Sequence, residues 1–333
     1  MLRLTPPGFE RFLQSPGFVA TFGGGEANVA VALSSLGLDA AYVTVLPENN
    51  PLSDAAVGEL RRAGVDTSKL VRGPGRMGIY FLETGANQRP SRVVYDRAGS
   101  SGAIAGPGSI DWDKTLAGAG WFHVTGITPA ISESSAALAL EGAKKAREFG
   151  LTVSCDLNFR KMLWKWGKPA PAVMSELVKF TDVVIANEED IQMCLGLQTD
   201  VDVHSGVLDH SRYKDLTGLV LKTYPNLRAV AVTLRESRSA STNGWSACLH
   251  NGRNFLMSRA YEITHIVDRV GSGDSFAAGL IYGLQMLPDD AAALEFAVAL
   301  SCLKHSQHGD FSRITLAEVN SLLKEGGTGR IQR

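Results

Sequence analysis

Short apolar runs rich in β-formers alternate with stretches of helical periodicity along most of this chain, and that rhythm narrows its fold most. The strand-like runs include AYVTVL (41–46), WFHVTGI (121–127), LTVSCDLN (151–158), DVVIANE (182–188) and AVAVTL (229–234). Between them lie helix-like stretches: EANVAVALSSLG (26–37), SDAAVGELRRAG (53–64), SESSAALALEGAKKAREFG (132–150), RYKDLTGLVLKTY (212–224), GDSFAAGLIYGLQM (273–286) and DAAALEFAVALSCLKHS (290–306). Several of these open after Ser or Asp and close at Gly, as helices do. Strands apolar on both faces and separated by helices predict an α/β protein whose mostly parallel sheet is covered on both sides. With 333 residues, no internal repeat and no low-complexity linker, a separate second domain is not expected.

One segment breaks the rhythm. RMGIYFLETGANQRPSRVVYDRA (76–98) holds two β-rich runs around a Gly/Asn/Pro turn with no helix between them. That pattern predicts an antiparallel hairpin, either a plain surface hairpin or a lid over the carboxyl ends of the parallel strands.

Charge and cysteine usage remove other classes. A formal net charge of −1 gives no pull towards nucleic acid or an anionic membrane. No apolar run approaches the roughly 20 residues of a membrane span, and MLRLTPPGFERFLQ does not read as a signal peptide. Cys155, Cys194, Cys248 and Cys302 are widely spaced with no C-x-x-C pair. They read as reduced thiols of a cytoplasmic protein rather than a disulfide framework or metal site.

Two glycine-rich helix openings are the candidate sites. In VDRVGSGDSFAAGL (267–280), Gly271, Ser272 and Gly273 precede Asp274. Successive N–H groups at a helix N-terminus can hold an anion. A carboxylate there is either a plain cap or a base that takes a proton from an attacking hydroxyl. In FGGGEANVAVALSSLG (22–37), three glycines precede a helix with Asn28 in its first turn. It is neither a Walker A loop nor a dinucleotide fingerprint. It reads as a capped turn or as a glycine floor for a polar ligand.

Together, the Gly-Gly-x-x-x-Asn opening, the later Gly-x-Gly-Asp opening and ANEED (186–190) between them resemble the ribokinase-like (PfkB-type) carbohydrate kinases. The stretches GIYFLETGANQRPSRVVYDRAGS, HVTGITPA, CDLNFR and GDF are similar to the 2-keto-3-deoxygluconate kinase branch. The resemblance implies a three-layer α/β/α fold, with a mostly parallel twisted sheet and a small antiparallel β-lid that closes the sugar site and forms a dimer contact. The core would be residues 22–74 and 99–333; residues 1–21 and 75–98 would form the lid and its flank. It implies ATP and Mg²⁺, with Asp274 as general base and Gly271, Ser272 and Gly273 as anion hole. Gly24, Gly25 and Asn28 match sugar contacts. Asn187 and Asp190 match the motif that organises Mg²⁺ through water and the phosphates. Asn158 and Arg160, with Gly271 and Gly273, match nucleotide contacts as well. K⁺ beside the 268–274 loop is a further candidate.

A sugar acid needs a partner for its carboxylate, and arginine's planar fork suits one. Arg97 and Tyr95 fall on one side of a lid strand if it alternates, with Tyr80 in the partner strand. Arg160 lies just past a strand's carboxyl end. The expected reaction is ATP-dependent phosphorylation of the terminal 6-hydroxyl of 2-keto-3-deoxygluconate. The alternatives are a kinase of a neutral sugar such as fructose or ribose, or a non-catalytic sugar-binding relative. Two departures stand out. Where relatives carry a Thr-Leu-Gly phosphate cradle, VTLRESRSAS (232–241) supplies Thr233 and Arg235 as candidate ATP contacts, with His305 at the adenine edge or as a structural histidine. Relatives also begin with an apolar strand ahead of a segment like MLRLTPP, so we expect one further strand, roughly 8–10 residues with its turn, before Met1.

Overall fold

The computed structural model describes residues 1–197 and 210–325. The rest of the expected 99–333 core segment, residues 198–209 and 326–333, lies outside the described residues.

The chain opens with β1 (Leu2–Thr5), β2 (Val19–Phe22), α1 (Gly25–Ser35), β3 (Val45–Pro47) and α2 (Pro51–Arg62). Next come β4 (Val71–Gly73), the hairpin strands β5 (Ile79–Glu83) and β6 (Arg92–Asp96), and short helices α3 (Ser101–Ile104) and α4 (Trp112–Leu116). Then follow β7 (Trp121–Thr125), α5 (Ile127–Ile131), α6 (Glu133–Glu148), β8 (Thr152–Asp156), α7 (Ala170–Val178), β9 (Val183–Ala186) and α8 (Glu188–Leu195). After α9 (His210–Thr223), the strands β10 (Ala229–Ser237), β11 (Asn243–His250), β12 (Phe255–Met257) and β13 (Tyr261–Ile263) precede α10 (Ser272–Met286), α11 (Asp290–Lys304) and α12 (Leu316–Glu325).

The main sheet runs β12-β11-β10-β9-β8-β7, with β13 also on β11. Pairing is parallel from β7 to β10 and antiparallel from β10 outward. The strict alternation of strand side chains separates two cores. Val184, Val230 and Val232 face one cluster with Leu138, Ala143, Met174 and Leu216. Val183, Ile185, Ala229 and Ala231 face the other, against Phe276, Leu280 and Phe296 of α10 and α11. This is why the strands read as continuous apolar runs. The carboxyl ends of β7 to β10 open on one edge, where an α/β sheet binds ligands.

The hairpin at 76–98 is present as β5 and β6, antiparallel from Ile79↔Asp96 to Glu83↔Arg92. The lid differs from expectation in being a mixed four-stranded sheet, β2-β1-β5-β6. β1 runs parallel to β5 and antiparallel to β2. The physical reason is β1's position between them: Leu2 packs with Leu46, Val57 and Met77 in a small core under the lid, which orients the strand.

AYVTVL also differs. Only Val45–Pro47 forms a strand, paired with β4 and separate from the main sheet. β7 pairs with β8 alone among the described strands. Val43, Val45, Phe122 and Val124 line a common cavity, so these two edges face the same open space.

Candidate active site

Gly271 caps α10 with φ +82°, and a Cβ there would lie 2.1 Å from the Asp310 carbonyl oxygen. Only glycine fits both the left-handed backbone and that approach. The helix N-terminus therefore sits tight against the 309–311 turn, and Asp274 enters its first turn at 8% exposure. Asn28 Nδ2 on α1 donates to Asp274 Oδ2 at 2.6 Å, while Asn28 Oδ1 accepts the Gly24 N–H at 3.2 Å. The two glycine openings, some 250 residues apart in sequence, thus meet through one amide. Burial raises the Asp274 pKa to about 6 against the Asn28 hydrogen bond; Asp310 and Glu26 raise it further and Arg160 opposes. A carboxyl held there is half-ionised near pH 6 and mostly ionised at neutrality, a state in which it can accept a proton.

Tyr80 and Tyr95 are paired across β5 and β6, with ring centroids 6.4 Å apart. Tyr80 OH donates to the Asp310 carboxylate at 2.6 and 2.7 Å. Arg97 lies beyond the end of β6 and lines the same cavity as Tyr95. Its Nε and Nη1 are buried with no hydrogen-bond partner, and burial lowers its pKa even though Glu26, Tyr42 and Tyr95 favour the charge. Glu26 is committed elsewhere, accepting from the Thr125 N–H at 3.0 Å and from Thr128 Oγ1 at 2.6 Å.

At the other end, Asp156 closes β8 and Asn158 follows with φ +39°. Burial pushes the Asp156 pKa well above the usual carboxylate range, with Asp190 and Asp274 adding to it and Arg160 opposing. Asn187 caps α8 in a reciprocal box: its Oδ1 accepts the Asp190 N–H at 2.7 Å, and its own N–H donates to Asp190 Oδ2 at 3.2 Å. Asp190 Oδ1 accepts the Phe159 N–H at 2.9 Å, and burial raises its pKa despite Arg160. Arg160 is exposed at the rim.

One cavity of about 910 Å³ brings together Gly24, Gly25, Asn28, Tyr80, Tyr95, Arg97, Asn158, Arg160, Asn187, Asp190, Thr233, Arg235, Gly271, Ser272, Gly273 and Asp274. Arg235 lies on β10, its guanidinium 5.1 Å from the Trp245 ring centre. His305 is set apart. It is 1% exposed, packs edge-on to Trp245, bonds the Ser301 carbonyl through Nδ1 at 2.8 Å and does not line the cavity.

A glycine-rich helix opening, a buried carboxylate in its first turn and an arginine with two unpartnered nitrogens share one cleft, an arrangement that suits phosphoryl transfer. A model of the pfkB family of carbohydrate kinases matches residues 9–315. The chain belongs to that family. This pfkB-family kinase is similar to the crystal structure of 2-dehydro-3-deoxygluconokinase from Thermotoga maritima: TM-score 0.90 and 47% identity over 97% of this chain and 95% of that one. It is also 32% identical over 329 residues to the 2-dehydro-3-deoxygalactonokinase of Haloferax volcanii, covering 99% of this chain and 96% of that protein. A more distant fold relative, a putative ribokinase II from E. coli solved in complex with ATP and Mg²⁺, has a TM-score of 0.76 at 17% identity over 97% of this chain and 96% of that one. The ribokinase-like fold expected above is therefore the fold of this kinase.

Sequence reasoning missed Asp310, Asp156, Glu26 and Arg3 of the kinase. Asp310, in the GDF stretch, meets Tyr80, Gly271 and Arg3. CDLNFR contained Asp156 in plain view; an acid closing an apolar strand at the ligand edge was the available signal. Among the described residues no group of three or more His, Cys, Asp or Glu could hold a metal ion directly. The Asp190 carboxylate and Asn187 amide line the cleft as oxygen donors, which suits a water-coordinated Mg²⁺.

Proposed function

We propose that this kinase transfers the γ-phosphoryl group of ATP to the terminal 6-hydroxyl of 2-keto-3-deoxygluconate, giving the 6-phosphate. The observation that carries the reading is Arg97: a buried guanidinium with two unpartnered nitrogens, in the same cleft as Asp274. Leaving such donors unmet is costly unless a ligand meets them, and a sugar-acid carboxylate would offer a charge-assisted acceptor. Tyr80 and Tyr95 frame that end, with Gly24, Gly25 and Asn28 as the sugar floor.

The hydroxyl would lie at Asp274, which accepts its proton as it attacks. The N–H groups of Gly271, Ser272 and Gly273 would stabilise charge on the group in transfer. Asn28 holds the Asp274 carboxylate in place. Mg²⁺ bound with ATP would neutralise phosphate charge, held through water by Asn187 and Asp190. Asn158, Arg160, Thr233 and Arg235 would flank the nucleotide. His305, behind Trp245, acts through packing in this reading. K⁺ beside the 268–274 loop, where the Asp268 carboxylate carries the Arg3 guanidinium, remains a further candidate cofactor in this reading.

A second reading, the galactonate epimer as substrate, is favoured by the name of the Haloferax relative. We propose too that copies pair through the lid, whose edge strands β2 and β6 expose Val19, Val93 and Val94. ATP use and four free thiols suit the cytoplasm; no described helix is long and apolar enough to cross a membrane. Arg97→Met tests the central reading. KM for either sugar acid should rise about 10- to 100-fold, the loss of a charged hydrogen-bond pair, while KM for fructose stays unchanged. An equal effect on both sugar classes would refute carboxylate recognition.

A further inference from the structure

We propose that Arg3 is a positioning residue for the anion hole, tying the lid sheet to the backbone that receives the phosphoryl group. The proposal rests on the kinase reading above. Arg3 lies on β1, in parallel register with Tyr80 of β5. Its guanidinium is 4% exposed and every bond it makes is internal. Nη2 meets Asp268 Oδ2 at 2.5 Å, Nη1 meets Asp310 Oδ1 at 2.8 Å, and Nε donates to Thr5 Oγ1 at 2.8 Å.

Each carboxylate it joins holds a different side of the hole. Asp268 Oδ1 accepts the Val270 N–H at 3.0 Å, fixing the residue that leads into Gly271. Asp268 Oδ2 also accepts the Gly309 N–H at 3.1 Å, linking that loop to the 309–311 turn. Asp310 takes the Tyr80 hydroxyl, and its carbonyl packs directly against Gly271. One cation therefore clamps two acids that would otherwise repel in a buried space, and the N–H groups of residues 271–273 are aimed by that clamp. Arg3 does not line the cleft, so it acts through these partners. Asp274 faces Asn28, Asp310, Arg160 and Glu26, and interacts also with Asp156 and with the buried Lys304; loss of Arg3 removes one of the two cations that balance Asp310 beside it.

The test compares Arg3→Met and Arg3→Lys with wild type, on whichever sugar wild type phosphorylates. If wild type phosphorylates none, it is the kinase reading that fails. Misplacing a reacting group by about 1 Å can cost on the order of 10²-fold, so Arg3→Met should lose kcat on that scale. Its sugar KM should change little, and the acid limb of its pH–rate profile should move to higher pH. Arg3→Lys restores the charge but not the two-pronged fork, so its limb should return to the wild-type position while kcat stays depressed. Guanidinium ion at sub-denaturing concentration should partly rescue Arg3→Met. A folded Arg3→Met with wild-type kcat and an unmoved limb overturns the proposal. If Arg3→Met does not fold, Arg3→Lys with full kcat does the same.

Discussion

Asp274 carries the chemistry in this account, and its surroundings set both its usefulness and its cost. With its pKa raised to about 6 by burial, it must lose its proton to act, so kcat/KM should fall about tenfold per pH unit below pH 6. Asp274→Asn keeps the Asn28 contact but cannot accept a proton. Its kcat should drop by roughly 10²–10⁴-fold, with sugar-acid binding by calorimetry retained. The sign for stability runs the other way. A carboxyl whose folded pKa lies above its unfolded one penalises folding when ionised. Asp274→Asn should therefore be more stable than wild type above pH 6, on the order of 1–3 kcal/mol, with the gain vanishing as pH falls towards 4. A destabilised Asn variant at pH 7.5 would contradict this. Gly271→Ala should unfold at lower temperature, because its Cβ meets the Asp310 carbonyl on a left-handed backbone. At this scale the glycine openings, Asn28 and Asp274 were legible, since helix-start patterns are local. Arg3, with partners at 268 and 310, was not, because no periodicity links residues so far apart.

Between elements, the parallel strands and their helices were readable because each strand is buried on both faces. The placement of β1 and β3 was not, since both depend on pairing with distant strands. Among the described strands β7 and β3 each pair with one other, and residues of both line one cavity. Met1 sits at its rim. The Met1 N donates to the Gly23 carbonyl at 2.8 Å and Gly23 N–H donates back to the Met1 carbonyl at 3.1 Å, the exchange of an antiparallel ladder pair. Burial, with Arg97 nearby, lowers the Met1 amine pKa to about 5. The lid edge makes its own prediction: Val94→Lys should halve the mass measured in solution, and an unchanged dimer mass would place the contact elsewhere.

Across the whole molecule, two sets of buried groups pull stability in opposite directions as pH falls. His123 and His305 are held neutral, with pKa lowered to about 4 by burial. They cost stability between pH 6.5 and 4, where only the unfolded chain takes up their protons. Asp156, Asp190 and Asp274, all raised, give stability back over much of that range. Wild type should therefore show a shallow profile. Asp274→Asn lacks one of the returning protons, so its stability relative to wild type should fall by about 1.4 kcal/mol per pH unit as pH drops from 6 to 4; parallel profiles in thermal melts would contradict it. The α/β architecture and the site's two glycine ends were legible in the sequence, while the acids and arginine that lock lid to core became visible only in three dimensions. The most direct test of the central claim is initial-rate ADP release by the wild-type kinase with Mg²⁺ and ATP over a small panel. The account predicts turnover of 2-keto-3-deoxygluconate or its galactonate epimer well above that of fructose and ribose. Faster turnover of either neutral sugar would contradict it.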